Sequence, residues 1–139
     1  MNSTPTPSCR RSLATLLLPW LAAVAFQTQA ATPADLLAGY ARAAGTEASA
    51  ARGEAFFARR HGQEWSCSSC HGNPPLLPGR HAGTGKPIEP LAPAANAQRF
   101  TDPAKVEKWF RRNCGDVLSR ECSAAEKADL LAWLTRLKP

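Results

Sequence analysis

The segment Cys67-Ser68-Ser69-Cys70-His71 determines how the rest of this chain is interpreted. Two cysteines separated by two residues and followed directly by a histidine form the attachment sequence of a c-type haem. The two thiols add to the two vinyl groups on one edge of the porphyrin, and the adjacent histidine is held under the ring to coordinate the iron. We therefore predict one covalently attached haem c, bound through Cys67 and Cys70, with His71 as the proximal iron ligand.

Two other chemistries use a Cys-x-x-Cys pair, and both fit this chain less well. A zinc site needs a second pair of ligands at similar spacing, but Cys114 and Cys122 are eight residues apart with no histidine nearby. A thioredoxin-like redox pair needs a βαβ setting, and the sequence shows no strand pattern of useful length. The haem interpretation is therefore favoured over both.

The N-terminal segment is typical of an export signal. Arg10 and Arg11 precede an apolar run from residue 13 to residue 26, and Thr28-Gln29-Ala30 supplies the small residues that a signal peptidase reads. The run is shorter than the roughly 20 apolar residues that a membrane-spanning helix needs. We predict cleavage after Ala30, a periplasmic location and no membrane span after cleavage, which agrees with the attachment of haem outside the cytoplasm in bacteria.

Composition and charge fit a single small domain. The chain has 139 residues, 44% of them hydrophobic, so removal of the signal peptide, residues 1–30, is predicted to leave one monohaem cytochrome c domain, residues 31–139. Arg10 and Arg11 leave with the signal, and the mature chain then has 15 Lys and Arg against 11 Asp and Glu, a net charge of +4. These charges are not clustered, so nucleic-acid binding is not expected. A monomer is expected at this size.

Two further cysteines are left after export. Cys9 is removed with the signal peptide, and Cys114 and Cys122 lie outside the haem motif. An even pair of cysteines in an oxidising compartment predicts a disulfide. Two free thiols are the alternative.

Helix signals flank the haem motif on both sides. Thr32-Pro33-Ala34-Asp35 predicts a helix that ends at Gly45, and a second helix is predicted from about Ser49 to Arg60. Gly53 and Phe57 within it have the spacing found in the first helix of class I cytochromes c, where the glycine allows another helix to cross closely. The last helix is expected to pack there through an apolar stripe, namely Leu130, Trp133, Leu134 and Leu137.

Two more helices and one long loop complete the chain. Thr101-Asp102-Pro103 predicts a helix that ends near Gly115, and Ser123-Ala124-Ala125-Glu126 is a capping box that begins the last helix. From Gly72 to Phe100 there is no periodic pattern, and six Pro and four Gly fall within 29 residues. The whole pattern predicts an all-α, class I cytochrome c-like fold, with helices packed around one haem and a long Pro/Gly-rich loop.

The second axial position of the iron cannot be filled by methionine. The one Met is Met1, which is lost with the signal peptide, so the His/Met coordination of ordinary electron-transfer cytochromes c is excluded. The candidates are two histidines, two lysines, two asparagines or a water molecule. The side chains concerned are His61, His81, Lys86, Lys105, Asn96 and Asn113.

Asn113 is the candidate with a structural argument. It lies on one helix face with Val106, Trp109 and Phe110, where a buried amide needs a partner and the iron would provide one. A helix C-cap explains the residue equally well, because Asn113-Cys114-Gly115 also fits the end of a helix. The spacing alone favours neither.

The other polar candidates have ordinary explanations. His61 is expected to be a surface residue near the end of a helix, and Asn96, in the Pro-rich loop, is expected to be a turn residue. His81 lies ten residues after His71 in a flexible loop, so coordination by two histidines stays an alternative, although a loop histidine is more often solvated.

Three longer segments carry a family resemblance. They are GTGKPIEPL at residues 83–91, NAQRFTD at residues 96–102 and, above all, KVEKWFRRNC at residues 105–114. With these segments the chain resembles the sphaeroides haem protein type of monohaem cytochrome c. The resemblance extends over almost the whole mature chain, from about Gly53 to Leu137.

The resemblance implies a specific iron site. In that family an Asn directly before a disulfide-bonded Cys is the sixth ligand of the ferric haem, which implies Asn113 as the distal ligand and a disulfide between Cys114 and Cys122. It also implies that the Asn leaves the iron on reduction, so that the high-spin ferrous haem can take O2, NO or CO. The implied partners are a dihaem cytochrome c as electron donor and, behind it, a membrane cytochrome b.

Two hypotheses about function follow. A neutral amide oxygen is a hard, weak ligand that ferric iron tolerates and softer ferrous iron holds poorly, so a site that opens on reduction favours a cytochrome that binds, and converts or reduces, O2 or NO. The alternative is a simple periplasmic electron-transfer cytochrome c in which the weak ligand only sets the potential. A peroxidase is less favoured, because no distal His–Arg pair is evident in the sequence.

Overall fold

The computed structural model describes Met1, residues 30–62 and residues 64–139. In chain order the elements are α1 (Pro33–Ala44), α2 (Ala50–Ala58), α3 (Cys67–His71), β1 (Gly79–Arg80), β2 (Pro87–Ile88), α4 (Pro103–Leu118) and α5 (Ala124–Leu134). The predicted all-α fold is confirmed, because the only strands described are the two-residue pair β1 and β2. Nearly all of the predicted signal peptide lies outside the described residues. Among the helices that are described, none has both the length and the apolarity that crossing a membrane requires.

The predicted helix starts are confirmed by their capping bonds. At α1 the Thr32 hydroxyl accepts the Asp35 backbone N–H at 3.1 Å, and the Asp35 carboxylate accepts the Thr32 N–H at 2.9 Å. At α5, Ser123 and Glu126 form the same reciprocal pair, and the Asp102 side chain caps α4 through the Lys105 N–H at 3.1 Å. These bonds satisfy backbone donors that the first turn of a helix would otherwise leave unpaired.

The centre of the fold is the crossing of α2 and α5. A Cβ atom built on Gly53 would lie 2.0 Å from the backbone oxygen of Asp129, so only glycine fits at this contact. One turn later the rings of Phe57 and Trp133 pack with their centroids 4.9 Å apart. The predicted packing of the last helix across Gly53 and Phe57 is therefore confirmed, and α1 packs against α5 as well.

An ion pair fixes the start of α2 to α5. The buried Asp129 carboxylate accepts the Ser49 backbone N–H at 2.6 Å and two bonds from the Arg52 guanidinium, at 2.7 and 2.8 Å. Both carboxylate oxygens are thus satisfied at a position where an unpaired charge would be costly. The glycine contact and this ion pair together set the relation of the two helices.

The end of α4 differs from the prediction. The helix does not stop near Gly115 but continues to Leu118, and Ser119 closes it in the left-handed conformation at φ 55°. Val117 is buried and Leu118 is packed against the core. Burial of these apolar residues outweighs the roughly 1 kcal/mol that glycine costs inside a helix.

The Pro/Gly-rich loop is held by a small number of backbone bonds. Gly79 and Arg80 pair antiparallel with Ile88 and Pro87. The carbonyl of the fully buried Pro75 accepts the backbone N–H groups of Leu91 and Ala92, each at 3.1 Å. The loop therefore folds back on the segment that directly follows the haem motif.

Candidate haem site

The haem motif forms a short helix that presents both thiols. Cys67 and Cys70 are three residues apart in α3, a spacing that places them on one helix face, and both are free, partly buried thiols. The Ser66 backbone N–H donates to the Ser69 hydroxyl at 3.0 Å at the start of the helix, and Gly72 ends it at φ 73°. Two thiols held in this way can react with one rigid planar partner.

Burial sets the protonation states of the motif. The pKa of His71 is lowered to about 4, mainly because the ring is buried and secondarily because the Arg99 cation acts on it. The imidazole is therefore neutral near pH 7, which is the form that coordinates a metal. Burial raises the pKa of the Cys67 thiol to about 11, so this thiol stays protonated until it reacts.

Neighbouring backbone packs closely on the motif. A Cβ built on Gly79 would lie 2.1 Å from the Cys70 carbonyl oxygen, so the first strand touches α3 without room for a side chain. The Ala82 backbone N–H donates to the Cys70 sulfur at 3.2 Å. On the core side, the Phe57 and His71 ring centroids are 6.3 Å apart. The haem motif is thus held between the loop that contains β1 and β2 and the α2–α5 crossing.

The donor set fits a covalently bound haem and does not fit zinc. The other two cysteines of the mature chain, Cys114 and Cys122, are consumed in a disulfide and cannot supply the second ligand pair. Within residues 30–62 and 64–139, no group of three or more His, Cys, Asp or Glu side chains could hold a metal ion together. Two free thiols three residues apart and a neutral imidazole directly after them suit the covalent attachment of one haem.

Asn113 lies inside α4 and not at its end. The residue that closes the helix is Ser119, so the helix-cap interpretation of Asn113 is wrong. Asn113 is partly buried on the side of α4 that carries the buried Val106 and Val117. The side chain is therefore a polar amide on an otherwise apolar helix face.

The disulfide predicted next to Asn113 is present. Cys114 and Cys122 are bonded with their Cα atoms 5.6 Å apart, and both residues are buried in the core. The bond ties the C-terminal part of α4 to the residue that directly precedes the Ser123 cap of α5. It restricts the backbone at the position following Asn113.

Both candidate histidines have bonds to nearby backbone groups. His61 donates through Nε2 to the Phe56 carbonyl at 2.8 Å, which places it at the end of α2 as predicted. The Nδ1 atom of His81 accepts the backbone N–H groups of Gly83 and Thr84, each at 3.2 Å. These bonds orient the His81 ring within its own turn.

The remaining candidate ligands lie either in a turn or in solvent. The Asn96 side-chain oxygen accepts the Gln98 backbone N–H at 3.1 Å, which confirms that it is a turn residue. Lys86 and Lys105 are exposed to solvent. Of the six candidate side chains, Asn113 alone lies on the apolar face of a long helix.

Arg99 was not predicted from the sequence as part of the site. This residue is partly buried, and it donates through Nε to the Pro90 carbonyl at 2.8 Å and through Nη2 to the Glu89 carbonyl at 2.7 Å. Its charge also acts on His71. The loop has no periodicity from which its burial could be predicted, and the one local signal is that it directly precedes the buried Phe100.

Comparisons with known proteins agree with this geometry. Residues 43–134 match the family described as "Domain of unknown function (DUF1924)". The cytochrome c-type protein SHP of Cereibacter sphaeroides is 50% identical over 107 residues, which cover 74% of this chain and 82% of that protein. Cytochrome c'' of Methylophilus methylotrophus is 47% identical over 92 residues, 63% of this chain and 64% of that protein.

Solved structures give the same result. Oxidized SHP, described as an oxygen-binding cytochrome c, superposes with a TM-score of 0.73 at 49% identity and covers 78% of this chain and 99% of its own. Oxidized cytochrome c'' of M. methylotrophus superposes with a TM-score of 0.71 at 38% identity, over 77% of this chain and 95% of its own. A solution structure of the same cytochrome c'' concerns haem-ligand detachment.

Proposed function

This chain belongs to the DUF1924 family and is an SHP-type monohaem cytochrome c, and on that premise we propose that it is a periplasmic cytochrome whose iron site is closed by Asn113 when oxidised and open when reduced. It carries one covalently attached haem c. The open ferrous site binds a diatomic ligand, O2 or NO. Electrons arrive from a dihaem cytochrome c that is linked to a membrane cytochrome b.

Three residues of α3 hold the haem in this proposal. Cys67 and Cys70 each form a thioether bond with one vinyl group, and His71 provides the proximal ligand through its neutral imidazole. The support is the geometry of the motif: both thiols are free, they share one helix face, and burial keeps the His71 ring unprotonated. The haem supplies an iron that changes between the ferric and ferrous states.

The placement of Asn113 carries the proposal. Its amide lies on the apolar face of a helix that continues past it, so the side chain is not used as a cap. A neutral amide oxygen is a hard ligand that suits ferric iron and is held weakly by ferrous iron. Asn113 is therefore retained in the oxidised protein and released on reduction, while the Cys114–Cys122 disulfide keeps the adjacent backbone in place.

Visible absorption spectra of the holoprotein test this function. We expect the dithionite-reduced protein to be high-spin, without sharp α and β bands, and to change on addition of CO. A low-spin ferrous spectrum that is indifferent to CO would refute the proposal, and the chain would then be a simple electron carrier with His81 as the first candidate for the sixth ligand.

A pair of variants assigns the effect to one residue. Asn113→His replaces the weak oxygen donor with an imidazole that ferrous iron holds well, so the reduced variant is expected to be low-spin and to resist CO. Asn96→Ala is the matched control, because Asn96 only forms a loop turn, and its spectra are expected to match the wild type. Loss of CO binding in Asn96→Ala instead would contradict the assignment to Asn113.

Electron delivery is tested separately. Anaerobic mixing of a reduced dihaem cytochrome c with the ferric protein is expected to reduce it. Because the mature chain carries a net positive charge, the rate is expected to fall with ionic strength for a donor that presents an acidic docking surface. A rate no faster than that with an unrelated haem protein of equal potential would contradict this partner.

A further inference from the structure

A small pocket lies over one end of the Cys114–Cys122 disulfide. It has a volume of about 150 Å³ and is lined by Cys122 and four charged side chains, namely Glu107, Arg111, Glu121 and Lys127. The two glutamates and the arginine are exposed to solvent, so the pocket opens at the surface. Cys114, the other half of the disulfide, does not line it. The pocket therefore reaches the disulfide from the Cys122 side.

The pocket contains a positive charge that is fixed in place. Lys127 donates to the Glu107 carboxylate at 2.7 Å, and its Nζ atom lies 5.4 Å from the Tyr40 ring centroid and 5.6 Å from that of Phe110. Its side chain is only 14% exposed. Arg111 adds a second cation to the pocket wall. An anion that enters the pocket thus meets two cations beside the two carboxylates.

These features match what thiol–disulfide exchange requires. In this reaction a thiolate attacks one sulfur of a disulfide and the other sulfur leaves as a thiolate. The attacking and leaving sulfurs carry negative charge, so nearby cations favour the reaction. Overall burial does not distinguish the two half-cystines, because Cys114 is 5% and Cys122 is 7% exposed. The pocket distinguishes them, since it gives access to Cys122 alone.

We propose that this pocket is a site of thiol–disulfide exchange, in which an external dithiol attacks the Cys122 sulfur. A bond forms between the attacking sulfur and Cys122, the Cys114–Cys122 bond breaks, and its electron pair leaves with Cys114, which takes up a proton. The second thiol of the reductant then displaces Cys122. The dithiol departs as a disulfide, and the chain has gained two electrons and two protons as two thiols.

Breaking this bond changes the surroundings of Asn113. The disulfide links the C-terminal part of α4 covalently to the residue before the α5 cap, and Cys114 directly follows Asn113. Without the bond, the backbone after Asn113 is expected to gain freedom, and the ferric iron is expected to lose its amide ligand without being reduced. This consequence rests on the proposed function, whereas the exchange at Cys122 does not.

Trapping with glutathione identifies the attacked sulfur in the native holoprotein. Glutathione is an anionic monothiol, so the reaction is stopped at the mixed disulfide by quenching at low pH and alkylation with N-ethylmaleimide. Peptide mass spectrometry then locates both groups. We expect glutathione on Cys122 and N-ethylmaleimide on Cys114. Glutathione on Cys114, or no mixed disulfide until the protein is unfolded in urea, would overturn the proposal.

Two variants test whether the reaction takes place in the pocket. Arg111→Gln removes a pocket cation, and its rate of exchange with glutathione is expected to fall about threefold. Arg112→Gln is the matched control, because Arg112 is the next residue of α4 but lies over the Trp109 ring, 5.7 Å from its centroid, and outside the pocket. Its rate is expected to equal that of the wild type. Equal rates in the two variants would overturn the assignment of the pocket.

The coupling to Asn113 is measured after dithiothreitol treatment, alkylation of both thiols and reoxidation of the iron with ferricyanide. Alkylation prevents the disulfide from forming again, and the high-spin fraction of the ferric absorption spectrum is expected to rise severalfold over that of the untreated protein. An unchanged ferric spectrum would overturn the coupling. The trapping experiment does not monitor the iron, so failure of the proposed function would leave the exchange site intact, and failure to trap would leave the proposed function intact.

Discussion

Gly53→Ala tests the helix crossing that supports the site. The added Cβ would lie 2.0 Å from the Asp129 backbone oxygen, 2.5 Å from its carbonyl carbon and 3.0 Å from the Leu130 nitrogen. All three are backbone atoms of α5, so no side-chain rotation relieves the overlap and the helices must separate. Separation weakens the Phe57–Trp133 contact.

The expected change in the free energy of unfolding of Gly53→Ala combines two opposing effects. Overpacking of a core costs about 1–3 kcal/mol or more, and a backbone overlap this severe lies at the upper end. Alanine regains about 1 kcal/mol of helix propensity over glycine. We expect the free energy of unfolding to fall by about 2–3 kcal/mol, equivalent to roughly 10–15 °C in melting temperature for a domain of this size.

Thermal unfolding of the ferric holoprotein, followed by far-UV circular dichroism, measures this change. Gly39→Ala is the matched control, because Gly39 lies within α1 and a Cβ there meets nothing within 4 Å; it is expected to stabilise the protein by about 0.5–1 kcal/mol. Equal stability of Gly53→Ala and the wild type would refute the reasoning about the crossing.

Three other changes have defined outcomes. Replacement of both Cys114 and Cys122 by Ser removes a cross-link that closes a short loop, with a sequence separation of 8, and is expected to cost about 2–3 kcal/mol in urea unfolding; no loss would mean that the bond does not constrain the unfolded chain. The hydrogen bond from Arg120 lowers the pKa of the Glu126 carboxyl to about 2. The ionised Glu126 therefore stabilises the fold above the unfolded-state pKa of about 4.3, and this contribution is lost as the pH falls toward 2. Glu126→Gln should therefore be less stable than the wild type at pH 7 and equal to it near pH 2, and a pH-independent difference would contradict this assignment. Cys67→Ala should leave a single thioether bond, visible as a shifted pyridine haemochrome band, and an unshifted band would exclude Cys67 from attachment.

Features encoded by local residues could be predicted from the sequence. Thr32 and Ser123 indicate helix starts, because helix capping involves only the next three residues. Gly53 is informative because its distance from the haem motif fits a known helix crossing. The position of the free thiols follows from the motif itself.

Features decided by tertiary packing could not be predicted. Gly115 has the local character of a helix end, yet burial of Val117 extends α4 past it. The same extension excludes the cap interpretation of Asn113, for which the spacing favoured a cap and a ligand equally. Arg99 lies in a loop without periodicity, and its bonds to two carbonyls depend on how that loop folds.

The distance between the Asn113 side-chain oxygen and the iron tests the central claim most directly. It is measured in crystal structures of the holoprotein, one ferric and one reduced with dithionite in the crystal. The account predicts an oxygen–iron bond in the ferric structure and an oxygen beyond bonding distance in the ferrous structure, with His71 bound in both. An Asn113 oxygen off the iron in the ferric state, or still bonded in the ferrous state, would contradict it.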